Sequence, residues 1–192
     1  MNRRIANKIL LACMCIVLTA PALWAAAPPP EGGILPDFTL STPKNGGERD
    51  YLGLSSFSGS FKIPALKTQV VLIEIFSMYC PYCQAEAPVV NRLHEKIEAN
   101  SALKGKIKIM GIGVGNSAYE VDVFKNKYRI PFPLFPDKDF KIYDKVGEVR
   151  TPYFIGIRIN PDGSHRVIYS RLGALGDVDQ FLREIVRRGN VK

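Results

Sequence analysis

The run Gln-Val-Val-Leu-Ile-Glu-Ile-Phe at residues 69–76 is followed, three residues later, by Cys80-Pro81-Tyr82-Cys83 and then by a helical pattern. A run so rich in β-branched side chains reads as a central strand covered on both faces. Residues 81–100 carry Ala85, Val89, Leu93 and Ile97 at the spacing of one helix face. A buried strand feeding directly into a helix restricts the chain to layered α/β folds and puts both cysteines at the junction. Pro81 suits the first helical position, since its missing N–H is unsatisfied there in any case and its φ is already helical. Cys80 then stands just before the helix, where the first-turn amides and the positive dipole end favour thiolate over thiol. Cys83 falls one turn on, on the same face, near enough to displace a partner from a mixed disulfide.

The rest of the chain extends this pattern. Residues 106–115 read as a second buried strand and 117–128 as a helix with Val121 and Phe124 turned inward. A short strand within 131–137 and a short helix ended by Gly147 come next. Strands at 153–159 and 165–172, joined by a turn at 160–163, form a hairpin, and a helix over 177–188 presents Phe181, Ile185 and Val186. Residues 45–59, rich in Gly and Ser, read as short strands and loops. Parallel crossovers followed by a hairpin and a closing helix predict a mixed central sheet with helices on both faces. Gly111, Gly113 and Gly115 lack the G-x-G-x-x-G spacing of a nucleotide loop and read as strand glycines.

At 192 residues the chain accommodates one domain and an appendage. The appendage is residues 1–27, where Arg3, Arg4 and Lys8 precede an apolar run and a small-residue stretch, the pattern of a secretory signal cleaved after Ala25 or Ala27. An uncleaved membrane anchor is the alternative, because the apolar stretch approaches the roughly 20 residues a span needs. A Pro/Gly linker at 28–34 and a folded domain at 35–192 complete the expected organisation. Cys13 and Cys15 belong to the leader, so the exported part keeps only Cys80 and Cys83. An isolated pair in an oxidising compartment reads as a working pair, not a structural framework. The formal charge of +8 falls to about +5 without the leader, and the basic residues form no sustained run, which argues against nucleic-acid binding.

The constellation resembles the thioredoxin superfamily well beyond the two cysteines. Glu74 lies six residues before Cys80, at the strand position where such proteins carry a buried acid. Thr151-Pro152 matches their cis-proline loop, and Gly173 falls where they carry a glycine. Within the superfamily, Pro-Asp-Phe-Thr-Leu at 36–40 and Cys80-x-x-Cys83-x-x-Glu86-x-Pro88 look most like the exported TlpA-like and ResA-like thiol-disulfide oxidoreductases. The resemblance implies a thioredoxin-like fold in which Cys80 is the nucleophile, Cys83 resolves, and Glu74 exchanges a proton with Cys83. It further implies that Glu86 tunes the site, that Pro88 kinks the helix, and that Thr151 and Pro152 pair with the client backbone beside Tyr79, Pro81 and Tyr82. Tyr79 stands where the group usually has Trp and, with Met78, lines an apolar lip. The dipeptide Pro81-Tyr82 is that of glutaredoxins and implies a potential around −200 to −230 mV. The implied protein is an extracytoplasmic or periplasmic monomer with no organic cofactor or metal. Its partners are client proteins bearing thiols or disulfides, apocytochrome c among the possibilities, and an upstream membrane thiol reductant or oxidant.

Two other readings fit parts of the sequence. A peroxiredoxin-like peroxidase shares the 36–40 motif and Ser77-x-x-Cys80, but would place a proline where Ile73 stands. A Sco-like copper chaperone would use both cysteines and a distant histidine such as His165, yet that group separates its cysteines by three residues; His94 reads as a surface residue.

Overall fold

A computed structural model describes residues 27–54 and 59–192. The leader with its cysteines and the Ala25 cleavage point lie outside the described residues.

The chain opens with residues 28–34 laid along the body. The Gly32 N–H donates to the Val167 carbonyl at 2.8 Å and the Val167 N–H to the Gly33 carbonyl at 2.8 Å, while Glu31 accepts from Arg188 at 2.5 Å. A two-stranded ribbon, β1 (Leu40–Ser41) and β2 (Ser60–Phe61), brackets α1 (Gly46–Leu52). There follow β3 (Val70–Phe76), α2 (Pro81–Ala99), β4 (Ile107–Val114), α3 (Ala118–Tyr128), β5 (Leu134–Asp137), α4 (Lys141–Lys145), β6 (Tyr153–Ile159), β7 (His165–Leu172) and α5 (Val178–Gly189). The main sheet runs β5-β4-β3-β6-β7. Strands β3, β4 and β5 pair in parallel, and β6 and β7 antiparallel, so β3 is central and mixed. One face is covered by α2, α3 and α5; the other by the N-terminal ribbon, Leu52 of α1 and Ile142 of α4. The expected mixed sheet with helices on both faces is the observed one.

Helix α1 corrects the expectation of loops and short strands over residues 45–59. Its first turn holds Gly46 and Gly47, which conceal the helix from propensity because glycine is its weakest ordinary former. Caps and burial compensate. The Asn45 side chain accepts from the Glu48 N–H at 3.3 Å, Gly53 closes the helix at φ 68°, and Leu52 is 1% exposed. Asn45→Ala removes the cap and is expected to cost about 1 kcal/mol, read as a lower urea midpoint with an unchanged slope.

Two finer expectations also change. The buried stripe of α2 is Cys83, Glu86, Ala87, Val90, Leu93 and Ile97, whereas Ala85 is exposed and Val89 half-buried. A strict four-residue step overshoots the 3.6-residue turn and drifts off the buried face. Gly115 lies beyond the end of β4 at φ 64°, so of those three glycines Gly111 and Gly113 alone are in the strand. An added Cβ at either of those would sit 3.1 Å from the Phe76 ring. The two glycines leave room for that ring, which stacks on Phe124 at 4.8 Å.

Candidate active site

Strand alternation sets the first element of the site. Val71, Ile73 and Ile75 face the ribbon side, and Val70, Leu72 and Phe76 face α2. Glu74 shares the latter parity and therefore points beneath the start of α2. It is 4% exposed, and its Oε1 has no hydrogen-bond partner. Burial above all, with the charges of Glu86 and Cys80, pushes its carboxyl up to about 8.

Between β3 and α2 the chain is tied down by three side chains from elsewhere. The Met78 N–H donates to Asn116 Oδ1 at 2.8 Å, Gln84 Nε2 donates to the Met78 carbonyl at 2.8 Å, and the Tyr79 hydroxyl donates to Glu120. Glu120 in turn accepts from the Ser117 N–H and hydroxyl, each at 2.7 Å, completing the capping box of α3. The Tyr79 bond, followed by those from Ser117, draws the Glu120 carboxyl down to about 2. Sequence reasoning did not single out Asn116, Gln84 or Glu120. The one available signal was Ser117-x-x-Glu120, which marks a helix start without showing what else the glutamate holds.

Cys80 is the N-cap of α2 and Pro81 its first helical residue, as the sequence reading expected. The Cys80 Sγ–H donates to the Thr151 carbonyl at 3.4 Å, and the two sulfurs are themselves hydrogen-bonded. Their environments differ sharply. Cys80 is half-buried; desolvation alone would raise its pKa, but hydrogen bonds from the Thr151 side chain, from the amide and thiol of Cys83 and from the Tyr82 amide outweigh it and leave the thiol below its ordinary value. Cys83 is 0% exposed. Burial pushes its thiol up, and the Cys80 sulfur and the Glu74 charge push in the same direction.

The loop facing the pair carries a cis Thr151-Pro152 bond. Pro152 is buried directly before β6, and its carbonyl accepts from the N–H of Gly173 at 2.9 Å; Gly173 itself has φ 102°. Glu86, 5% exposed, accepts from the Leu175 N–H at 2.8 Å. That bond ties the second turn of α2 to the loop after β7. Burial raises the Glu86 carboxyl against the pull of that bond and of Arg92. Pro88 sits inside α2 and deprives the Gln84 carbonyl of its helical donor. Pro81, Tyr79 and Tyr82 are exposed around the cysteines.

All nine residues singled out from the sequence (Glu74, Tyr79, Cys80, Pro81, Tyr82, Cys83, Glu86, Thr151 and Pro152) thus gather at one end of the sheet. The histidines do not. His165 opens β7, opposite Ile159 at the far end of the hairpin, and borders a separate cavity with Asp37. His94, expected at the surface, is half-buried between the rings of Tyr51 and Phe132, at 5.5 Å and 5.8 Å.

A reachable sulfur that favours its thiolate, backed by a buried sulfur that keeps its proton, is a dithiol built for sequential exchange. Fold and site together define a thioredoxin-like thiol-disulfide oxidoreductase. The chain belongs to the AhpC/TSA family, whose profile matches residues 32–164. It is 25% identical over 161 residues to the thiol-disulfide oxidoreductase ResA of Oceanobacillus iheyensis, a match spanning 83% of this chain and 74% of that protein. Among solved structures it resembles a secreted Mycobacterium tuberculosis disulfide oxidoreductase homologous to DsbE of E. coli. That match has a TM-score of 0.54 at 19% identity and covers 78% of this chain and 95% of the other. It also resembles the thioredoxin domain of a thiol-disulfide oxidoreductase from Bacteroides vulgatus, with a TM-score of 0.59 at 15% identity over 85% of this chain and 99% of that one.

Proposed function

We propose that this chain is an exported, monomeric thiol-disulfide oxidoreductase that reduces disulfides in client proteins. The observation that carries the reading is the inequality of the two sulfurs. The Cys80 thiolate attacks a client disulfide, and one client sulfur leaves as thiolate and takes up a proton. Cys83 then passes its proton to the Glu74 carboxylate and attacks the Cys80 sulfur, expelling the second client thiol. Two electrons reach the client, and the Cys80–Cys83 disulfide is left for an upstream membrane dithiol to reduce. No organic cofactor or metal enters these steps. Thr151 and Pro152 seat the client backbone, Tyr79, Pro81 and Tyr82 flank it, and Glu86 holds the adjoining loop.

The reductive direction is supported by the burial of Cys83, which holds the second sulfur as a thiol and leaves the dithiol form a single thiolate to stabilise. Strong oxidants of this class owe their potential to a heavily stabilised reduced form. Export is supported by the composition of residues 1–27, with residues 28–34 joining the leader to a domain at 35–192. Among the described residues no helix is long and apolar enough to cross a membrane.

The test is alkylation of the reduced protein across pH, followed by reduction of a protein disulfide such as insulin. Iodoacetamide is expected to modify Cys80 with a midpoint below that of a free thiol while Cys83 stays protected. Equal reactivity of the two, or failure to reduce insulin with a dithiol supplied, would sink the proposal. Consumption of hydrogen peroxide at a faster rate than insulin reduction would favour a peroxidase instead.

A further inference from the structure

Two cavities share the Arg150–Thr151 loop that faces Cys80. One, of about 340 Å³, lies between Tyr82 and the Leu172–Gly173 corner; the other, of about 470 Å³, lies between Tyr79 and Phe140. Arg150 and Thr151 line both, and Thr151 is the residue whose carbonyl accepts the Cys80 thiol. A segment that brings its sulfur to Cys80 therefore crosses Thr151 with one flank over each cavity.

The walls of this double groove are apolar and uncovered. Tyr79, Tyr82, Phe140 and Leu172 are 65%, 76%, 46% and 45% exposed, which makes them four of the six large apolar side chains exposed among the described residues. Such clustering marks a contact surface. Two charged residues line the groove, Glu86 and Arg150. Glu86 is buried and bound to the Leu175 amide. Arg150 is exposed and makes no salt bridge among the described residues. A guanidinium is weakly hydrated and forked to match a carboxylate, so beside apolar walls it attracts an acidic side chain and repels a basic one.

Resting on the exchange reaction proposed above, we propose that Arg150 makes this protein selective for client segments whose reactive cysteine is flanked by an acidic side chain, with apolar neighbours filling the two cavities. The partner is an extended, locally acidic stretch of another protein. The selectivity comes from one charge at the centre of an apolar groove, not from the net charge of the chain.

The probes are two synthetic peptides, each a disulfide-linked homodimer with the cysteine between apolar residues and flanked in one by Glu and in the other by Lys. Reduction rates with the full chain are divided by those with dithiothreitol, which removes the intrinsic reactivity of each peptide. The Glu peptide is expected to react about threefold faster than the Lys peptide at low ionic strength, the size of effect that exposed charge pairs produce. The preference should fade in molar salt, disappear in Arg150→Gln and invert in Arg150→Glu. An equal rate for both peptides, or an acidic preference that survives Arg150→Glu, overturns the assignment. A concentration-dependent dimer that Arg150→Glu dissociates would put a second copy of the chain on this face and overturn it too. Failure to reduce either peptide, or an uncharged small disulfide such as hydroxyethyl disulfide, would instead refute the exchange reaction itself.

Discussion

A chain carrying Cys83→Ser is expected to attack a client disulfide once and then stop, leaving the client covalently attached to Cys80. The first displacement needs only the half-buried, thiolate-favouring sulfur at the N-cap of α2. The second needs a thiol inside the fold, and Cys83, at 0% exposure, is the group in hydrogen-bonding contact with the Cys80 sulfur. A serine hydroxyl at that position is too weak a nucleophile to break the mixed disulfide, so turnover should fall to the uncatalysed background. Non-reducing electrophoresis and mass spectrometry should show a one-to-one adduct that dithiothreitol releases, and Cys80→Ser should form none. Steady turnover by Cys83→Ser would mean that another thiol, from the client or the solvent, performs resolution.

Glu74→Gln is expected to change both rate and stability, in opposite senses. With a carboxyl pushed up to about 8, Glu74 is neutral at pH 6 and becomes a carboxylate base above pH 8. Resolution by Cys83 should therefore accelerate as pH rises through about 8, and the glutamine variant should lose that rise, with a resolution rate lower by roughly a hundredfold at alkaline pH. Stopped-flow decay of the mixed disulfide measures it.

Stability follows from the same titration. A carboxyl whose folded value lies above its unfolded value binds more protons in the native state between the two, so unfolding free energy falls as pH rises across that window and is lowest above the folded value. For Glu74 the window runs from 4.5, its ordinary value, to about 8. Relative to Glu74→Gln, the parent chain should lose on the order of 5 kcal/mol across it. Urea denaturation at several pH values reads the difference as diverging midpoints. Parallel profiles for the two proteins would show that Glu74 is paired or solvated in solution, and would remove it from the proton-transfer step.

The fold was readable in the sequence wherever one period dominated. β3 is a nearly continuous β-branched run, as suits a strand covered on both faces, β4 and the hairpin β6–β7 carry shorter apolar runs, and α2 and α3 announce themselves by Pro81 at a first helical position and by the Ser117-x-x-Glu120 box. Helix α1 was missed because its cap and its Leu52 anchor compensate for two glycines, and neither propensity nor period registers that exchange. The candidate positions were legible by two routes: Cys80, Pro81 and Cys83 from chemistry and spacing at the strand–helix junction, and Glu74, Tyr79, Tyr82, Glu86, Thr151 and Pro152 through the resemblance to thioredoxin-like proteins. Asn116, Gln84 and Glu120 were not, since each acts through a neighbour 6 to 41 residues away, nor was Arg150, which acts as a cavity wall.

By itself, then, the order of residues determined that a buried strand runs into a proline-started helix with two sulfurs a turn apart, because strand and helix periods and the φ of proline are local properties. Tertiary structure alone decided which sulfur is reachable and which keeps its proton, that Glu74 is sealed beneath α2 without a partner, and that Arg150 stands at the seam of two apolar cavities. Exposure and proton affinity depend on how much solvent the surrounding elements exclude, and those elements come from β3, α2, the β6 loop and the β7 corner, segments that meet only once the sheet has closed.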